Sequence, residues 1–87
     1  MSYKVHATPK LVAIHWLDAN AINGWQDPDD KDTTVHEAVT VGWLVREDKV
    51  SVTVSSTIAF APGEDKYEIN AAMTIPRGMI VKQRVMR

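Results

Sequence analysis

The residues able to do acid–base, nucleophilic or metal chemistry are few in this chain: three histidines (His6, His15, His36), no cysteine, and acids gathered mostly in turns. The histidines show neither a His-x-x-x-His nor a Glu-x-x-His spacing, and the neighbours His36 and Glu37 point to opposite faces of any strand that holds them. A metal would need ligands converging from separate strands, so no metal is expected. The run Asp27-Pro28-Asp29-Asp30-Lys31-Asp32 has the charge of a calcium loop. An EF-hand loop starting at Asp27 would need Gly at its sixth position and Glu at its twelfth, where this chain has Asp32 and Ala38, so the run reads as a solvated turn. Ser51, Ser55 and Ser56 lie in one alternating segment with no Gly-x-Ser-x-Gly elbow. Glu47-Asp48 and Glu64-Asp65 sit in turns, where carboxylates stay hydrated and nothing raises a pKa toward that of a general acid. These patterns predict no catalytic residues, no cofactor and no enzyme.

Binding chemistry remains. Trp25 lies between Gly24 and Gln26 in a hydrophilic stretch, where an indole either folds back to plug a barrel mouth or stacks on a ligand or partner. Arg77, on a Pro76-Arg77-Gly78 corner, either offers its guanidinium outward to a phosphate or carboxylate or stays solvated. Residues 18–37 hold six acids and one lysine, net −5, whereas residues 77–87 hold Arg77, Lys82, Arg84 and Arg87 and no acid, net +4. Two opposite poles on a small module invite contact between copies of the chain or, alternatively, a basic anion site formed where copies meet. The candidate ligand-binding residues are therefore Trp25, Arg77, Lys82 and Arg84. Because the poles nearly cancel, the net charge is −1. A sequence pI near 6.3 argues against a protein that lives on the phosphate backbone.

The elements that must position these residues are β-strands. Val50, Val52, Val54, Ile58 and Phe60 alternate with mostly Ser or Thr, and Val35, Val39, Val41, Trp43 and Val45 alternate over the preceding stretch, with Glu47-Asp48-Lys49 as the turn of a hairpin. Leu11 to Leu17 is apolar on both sides, as in a strand buried on two faces or at a corner. Tyr67, Ile69, Ala71, Met73 and Ile75 mark a fourth strand, and Pro76-Arg77-Gly78 breaks the chain before a short final strand over residues 79–86. Trp16 and Trp43 are expected in the core. The layout predicts an all-β fold, a five-stranded SH3-like or Sm-like barrel with a long loop after the first strand. The 87 residues read as a single domain with an N-terminal arm over 1–9 and a long acidic loop over 18–34. With no cysteine to form disulfides, a domain this small often draws added stability from self-association. No membrane-spanning stretch and no long apolar leader occur, so an intracellular location is expected.

Four segments carry a resemblance: Trp16 to Ala19, Gly24-Trp25, Val41 to Val45 (Val-Gly-Trp-Leu-Val) and Ile75 to Ile80 (Ile-Pro-Arg-Gly-Met-Ile). Together they resemble short phage-encoded accessory proteins, over most of the chain from Leu11 onward. The resemblance implies a viral protein working in the cytoplasm of a bacterial host. Some small phage proteins of this size assemble into oligomers that sequester cyclic nucleotides or related signals of bacterial immunity, and that class of function is the expectation here. The alternatives are a structural or protein-interaction module without a small ligand and an Sm-like binder of single-stranded nucleic acid, the latter disfavoured by the charge and by one Phe and two Tyr.

Overall fold

In a computed structural model, residues 4–19, 25, 27–29, 35–63 and 65–86 are described. They form five strands, β1 (Lys4–Asp18), β2 (His36–Glu47), β3 (Ser51–Phe60), β4 (Tyr67–Pro76) and β5 (Ile80–Val85), with a 3-10 turn over Arg77–Met79 between the last two. All pair antiparallel in one sheet of order β4-β3-β2-β1-β5. The all-β expectation and the five strands hold. Closure into a barrel does not, since no ladder joins the edge strands β4 and β5 among the described residues. No described helix is long and apolar enough to cross a membrane.

A short connection nevertheless curls the sheet. The edges of a flat five-stranded sheet lie four strand spacings apart, roughly 19 Å. The four-residue step from Pro76 to Ile80 reaches about 14 Å even when fully extended, and here it is wound into a 3-10 turn. The sheet must therefore bend until the end of β4 and the start of β5 come close. Its concave side holds the core, Val12, Ile14, Leu44, Val52, Val54 and Ile75, with Trp16 and Ile80 packed against it. The Trp16 indole donates to Thr40 Oγ1 (2.9 Å), and Thr40 in turn reaches Met73 Sδ (3.8 Å), so the bend is bridged from β1 to β4.

The bend is made at Gly42 and at Ser55. A Cβ on Gly42 would stand 2.8 Å from the Ser55 backbone oxygen, so β3 crosses β2 at a distance only glycine permits. Opposite it, the wholly buried Ser55 hydroxyl lies 2.7 Å from the Thr57 carbonyl, 2.9 Å from the Asn70 carbonyl and 3.3 Å from the Asn70 N–H. Ala71 takes a left-handed φ of 58° just there, so β3 and β4 turn together and the hydroxyl supplies hydrogen bonds where the strands kink.

Several strand details differ from the sequence reading. β1 begins at Lys4, so most of the expected arm is strand, interrupted where Val5 pairs with Arg46 but Lys10 already pairs with Leu44. In β2 the core face is the one carrying Thr40, Gly42 and Leu44, because β1 sets Val12 opposite Gly42 and Ile14 opposite Thr40. On the valine face of β2, Val39 and Val41 are exposed and Trp43 stays half-buried instead of entering the core, whereas Val45, near the strand's end, is buried. Of the acidic loop, only Trp25, Asp27, Pro28 and Asp29 fall between residues 20 and 34 among those described, with Asp27 Oδ1 accepting from the Asp29 N–H (3.0 Å) in a local turn.

Replacing Gly42 with Ala should destabilise the fold by about 1–3 kcal/mol, because the added methyl meets backbone that cannot swing aside. Urea unfolding of the two proteins checks this; equal midpoints would remove Gly42 as the hinge of the bend.

Candidate functional site

Three or more residues of β1 have no opposite partner between Val5 and Lys10, since β1 advances five positions while β2 recedes from Arg46 to Leu44. Pro9 suits this segment, having no N–H to lose from the ladder. The bulged backbone is pinned to β4 by the Tyr67 hydroxyl, which donates to the His6 carbonyl (2.6 Å). Tyr67 is held as the protonated donor, its pKa pushed upward by burial.

The His6 ring meets Glu47 at the end of β2, Nε2 to Oε2 at 2.6 Å; an ionised carboxylate only accepts, so this nitrogen carries the hydrogen. The second oxygen of Glu47 accepts from Arg77 Nη2 (3.0 Å), while Arg77 Nε donates to the Asp48 carbonyl (2.6 Å) and the Arg77 N–H to the Val50 carbonyl (2.8 Å). Asp48 closes the β2–β3 turn by accepting the Val50 and Ser51 N–H groups on Oδ1 (2.7 and 2.8 Å). A line of charge and hydrogen bonds thus runs from β4 through the β1 bulge, Glu47 and Arg77 to the turn between β2 and β3. Glu47 is held below its ordinary value of 4.5, first by the His6 hydrogen bond and further by Arg77, with burial opposing. Asp48 is held below 3.8 by the Ser51 and Val50 N–H groups.

Beside this line lies a cleft of about 680 Å³. Val5, Val45, Ile69 and Ala72 give it apolar walls, the hydroxyls of Thr53 and Thr74 meet in it at 2.9 Å, and Arg46, Lys66 and Asp65 bring charge to it. Its volume falls in the range of small-molecule sites. Its apolar walls, paired hydroxyls and flanking charges are groups that can surround and orient a small ligand.

The four sequence candidates are dispersed by the fold. Trp25 is wholly exposed and does not plug the sheet. Arg77 is engaged by Glu47 and by the Asp48 carbonyl, so its guanidinium closes a turn of its own chain. Lys82 and Arg84 alone stand together, on one face of β5, next to His15 and Ala13 of β1. The sequence reading missed His6, Glu47, Tyr67, Arg46 and Lys66. His6 and Glu47 are 41 positions apart and Tyr67 and His6 are 61, separations at which no local pattern announces contact. Among the described residues no three His, Asp or Glu side chains gather as metal ligands would. Comparison with protein families, curated proteins and solved structures found no match for the chain.

The depressed carboxylates predict an acid-labile fold. Both groups bind protons less readily folded than unfolded, so their stabilisation is in place above pH 4.5 and is lost as the pH falls through their folded values. Thermal melts should shift downward below pH 4.5, and Glu47→Gln should lower the melting temperature at neutral pH while flattening that acid limb. An unchanged limb in Glu47→Gln would remove Glu47 as its source.

Proposed function

We propose that this chain is a non-catalytic, phage-type binding protein that self-assembles and holds a small anionic ligand, of the class of nucleotide signals used in bacterial antiviral defence. It works in the cytoplasm of the bacterial host. The observation carrying the ligand half is the cleft beside the His6–Glu47–Arg77 line, whose apolar walls suit a flat organic group and whose threonine hydroxyls and neighbouring Arg46 and Lys66 suit an anion. The phage class and the nucleotide rest on the resemblance of Trp16 to Ala19, Gly24-Trp25, Val41 to Val45 and Ile75 to Ile80. The strand order, with edge strands joined by one 3-10 turn, supports a curled, incompletely closed relative of the SH3-like or Sm-like barrels. An anion would have to compete with Glu47 for Arg77.

One observation favours a second reading, that of an interaction module without a small ligand. The face of the sheet turned away from the core carries large exposed apolar residues, among them Leu17, Val39 and Val41.

Cyclic dinucleotides, cyclic trinucleotides and inorganic phosphate separate these readings. A ligand specific to the folded cleft, at a hundred times its dissociation constant, stabilises by about 2.7 kcal/mol, which raises the melting temperature of a domain this size by roughly 10–20 °C. The shift should vanish in Lys66→Glu and persist in Trp25→Ala, whose indole lies outside the cleft lining. No shift with any of the three would overturn the ligand reading and leave the interaction module.

A further inference from the structure

We propose that the outward face of the β1–β2 hairpin is where two copies of this chain meet, face to face about a two-fold axis parallel to the strands, with β5 of each copy over β2 of the other. This deepens the self-assembling half of the proposed function, on which it rests, and is independent of the ligand half. None of the residues named below lines the cleft.

The ladder fixes what the face carries. On one side of β1, Leu11, Ala13, His15 and Leu17 stand beside Trp43, Val41, Val39 and Glu37 of β2, and β5 adds Arg84 next to Ala13 and Lys82 next to His15. The core lies on the other side, with Val12, Ile14 and Leu44. An antiparallel sheet with one solvated face alternates apolar inward and polar outward. This hairpin is apolar both ways: Leu17, Val39 and Val41 are 43%, 55% and 50% exposed, with Ala13 buried between its neighbours on the same face. β-branched residues on two faces of one strand pair make sense when both faces are covered, as in a sheet packed between a core and a neighbour.

Charge selects the occupant. The face is not uniformly apolar: His15 lies within it, its Nδ1 3.8 Å from Glu37 Oε1, and it is flanked by Lys82 and Arg84 on its β5 side and by Glu37, 63% exposed, on its β2 side. A surface with cations along one margin and an anion along the other is complementary to itself turned over, the condition for an isologous contact. A two-fold axis along β1 preserves the level of each residue along the strands. Lys82 shares its level with His15 and Val39, so it comes to lie over the partner's β2 about two residues, roughly 7 Å, from Glu37, within reach of a lysine side chain across stacked sheets. The exposed apolar residues Val39 and Val41 are then covered between two such ion pairs, one at each margin.

Native mass spectrometry and sedimentation of the full chain test this. The wild type should be a dimer or an even multiple, and Val41→Glu should weaken the contact at least tenfold while keeping a cooperative melt, since Val41 is outside the core. Lys82→Glu and Glu37→Lys should each weaken association, and the double exchange Lys82→Glu/Glu37→Lys should restore it, a rescue that damage to folding would not produce. A double exchange no tighter than either single overturns the two-fold register, whatever becomes of Val41→Glu. An assembled wild type whose mass ignores Val41→Glu and both charge reversals overturns this interface but leaves self-assembly standing. A monomeric wild type overturns both.

Discussion

Three residues, Arg77 to Met79, carry the chain from one edge of the sheet to the other, and the remaining architecture answers to that tether. A sheet of five strands cannot stay flat when its edges are joined by so short a link, so one face becomes concave and collects the core. The curl then sets local demands. β2 and β3 must cross closely, which requires the missing side chain at Gly42, and β3 and β4 must kink, which requires the buried Ser55 hydroxyl and the left-handed Ala71. The tether is itself anchored at its first residue, by the Arg77 N–H on the Val50 carbonyl and by the guanidinium on Glu47 and the Asp48 carbonyl. A corner arginine placed for outward recognition in a sequence is here the fastener of the curl.

That fastening explains the position of the cleft. Glu47 ends β2 beneath Arg77 and offers its second oxygen to His6, which draws the bulged part of β1 across toward Tyr67 of β4. The cleft is what remains between the bulge and the strands below it. Its shape therefore depends on a partly exposed chain of charge-assisted hydrogen bonds more than on apolar packing, whereas the core around Ile14 and Val54 contains no ionisable group. Acid conditions act on the first directly and, because Glu47 also holds Arg77, loosen the fastening of the curl along with the cleft.

The strands were legible because alternation is a local signal: Val50 to Phe60, Tyr67 to Ile75 and the turn at Glu47-Asp48-Lys49 all fall where period two and turn chemistry place them. Which face of a strand becomes the core was not legible. In β2, three valines and a tryptophan suggest the buried side, yet the core cluster takes the side with Gly42 and Leu44 and leaves Val39 and Val41 exposed, Val45 alone of the three being buried. The hint lay in Leu11 to Leu17, apolar on both sides, which needs a second cover that an open sheet does not supply. The site was less legible still, because its contacts join residues dozens of positions apart. Among the four candidates, only the neighbours Lys82 and Arg84 stayed together, as any two residues separated by one do on a strand.

The near-zero net charge takes on a different meaning once the residues are placed. A charge of −1 spread evenly would leave the chain with little electrostatic repulsion between copies and no orientation to their contact. Instead, cations line β5 and the acids begin at the far margin of the same face, so approach in one orientation is attractive and in others is opposed by like charge. Apolar area supplies the drive to associate, but it is non-directional and would equally favour disordered clustering of the exposed valines. In the pair proposed above, the flanking charges would direct that drive into one orientation, and because they sit at the solvated margin, their contribution would weaken with salt while the apolar part would not. Raising ionic strength should therefore cost the assembly its specificity before it costs its affinity.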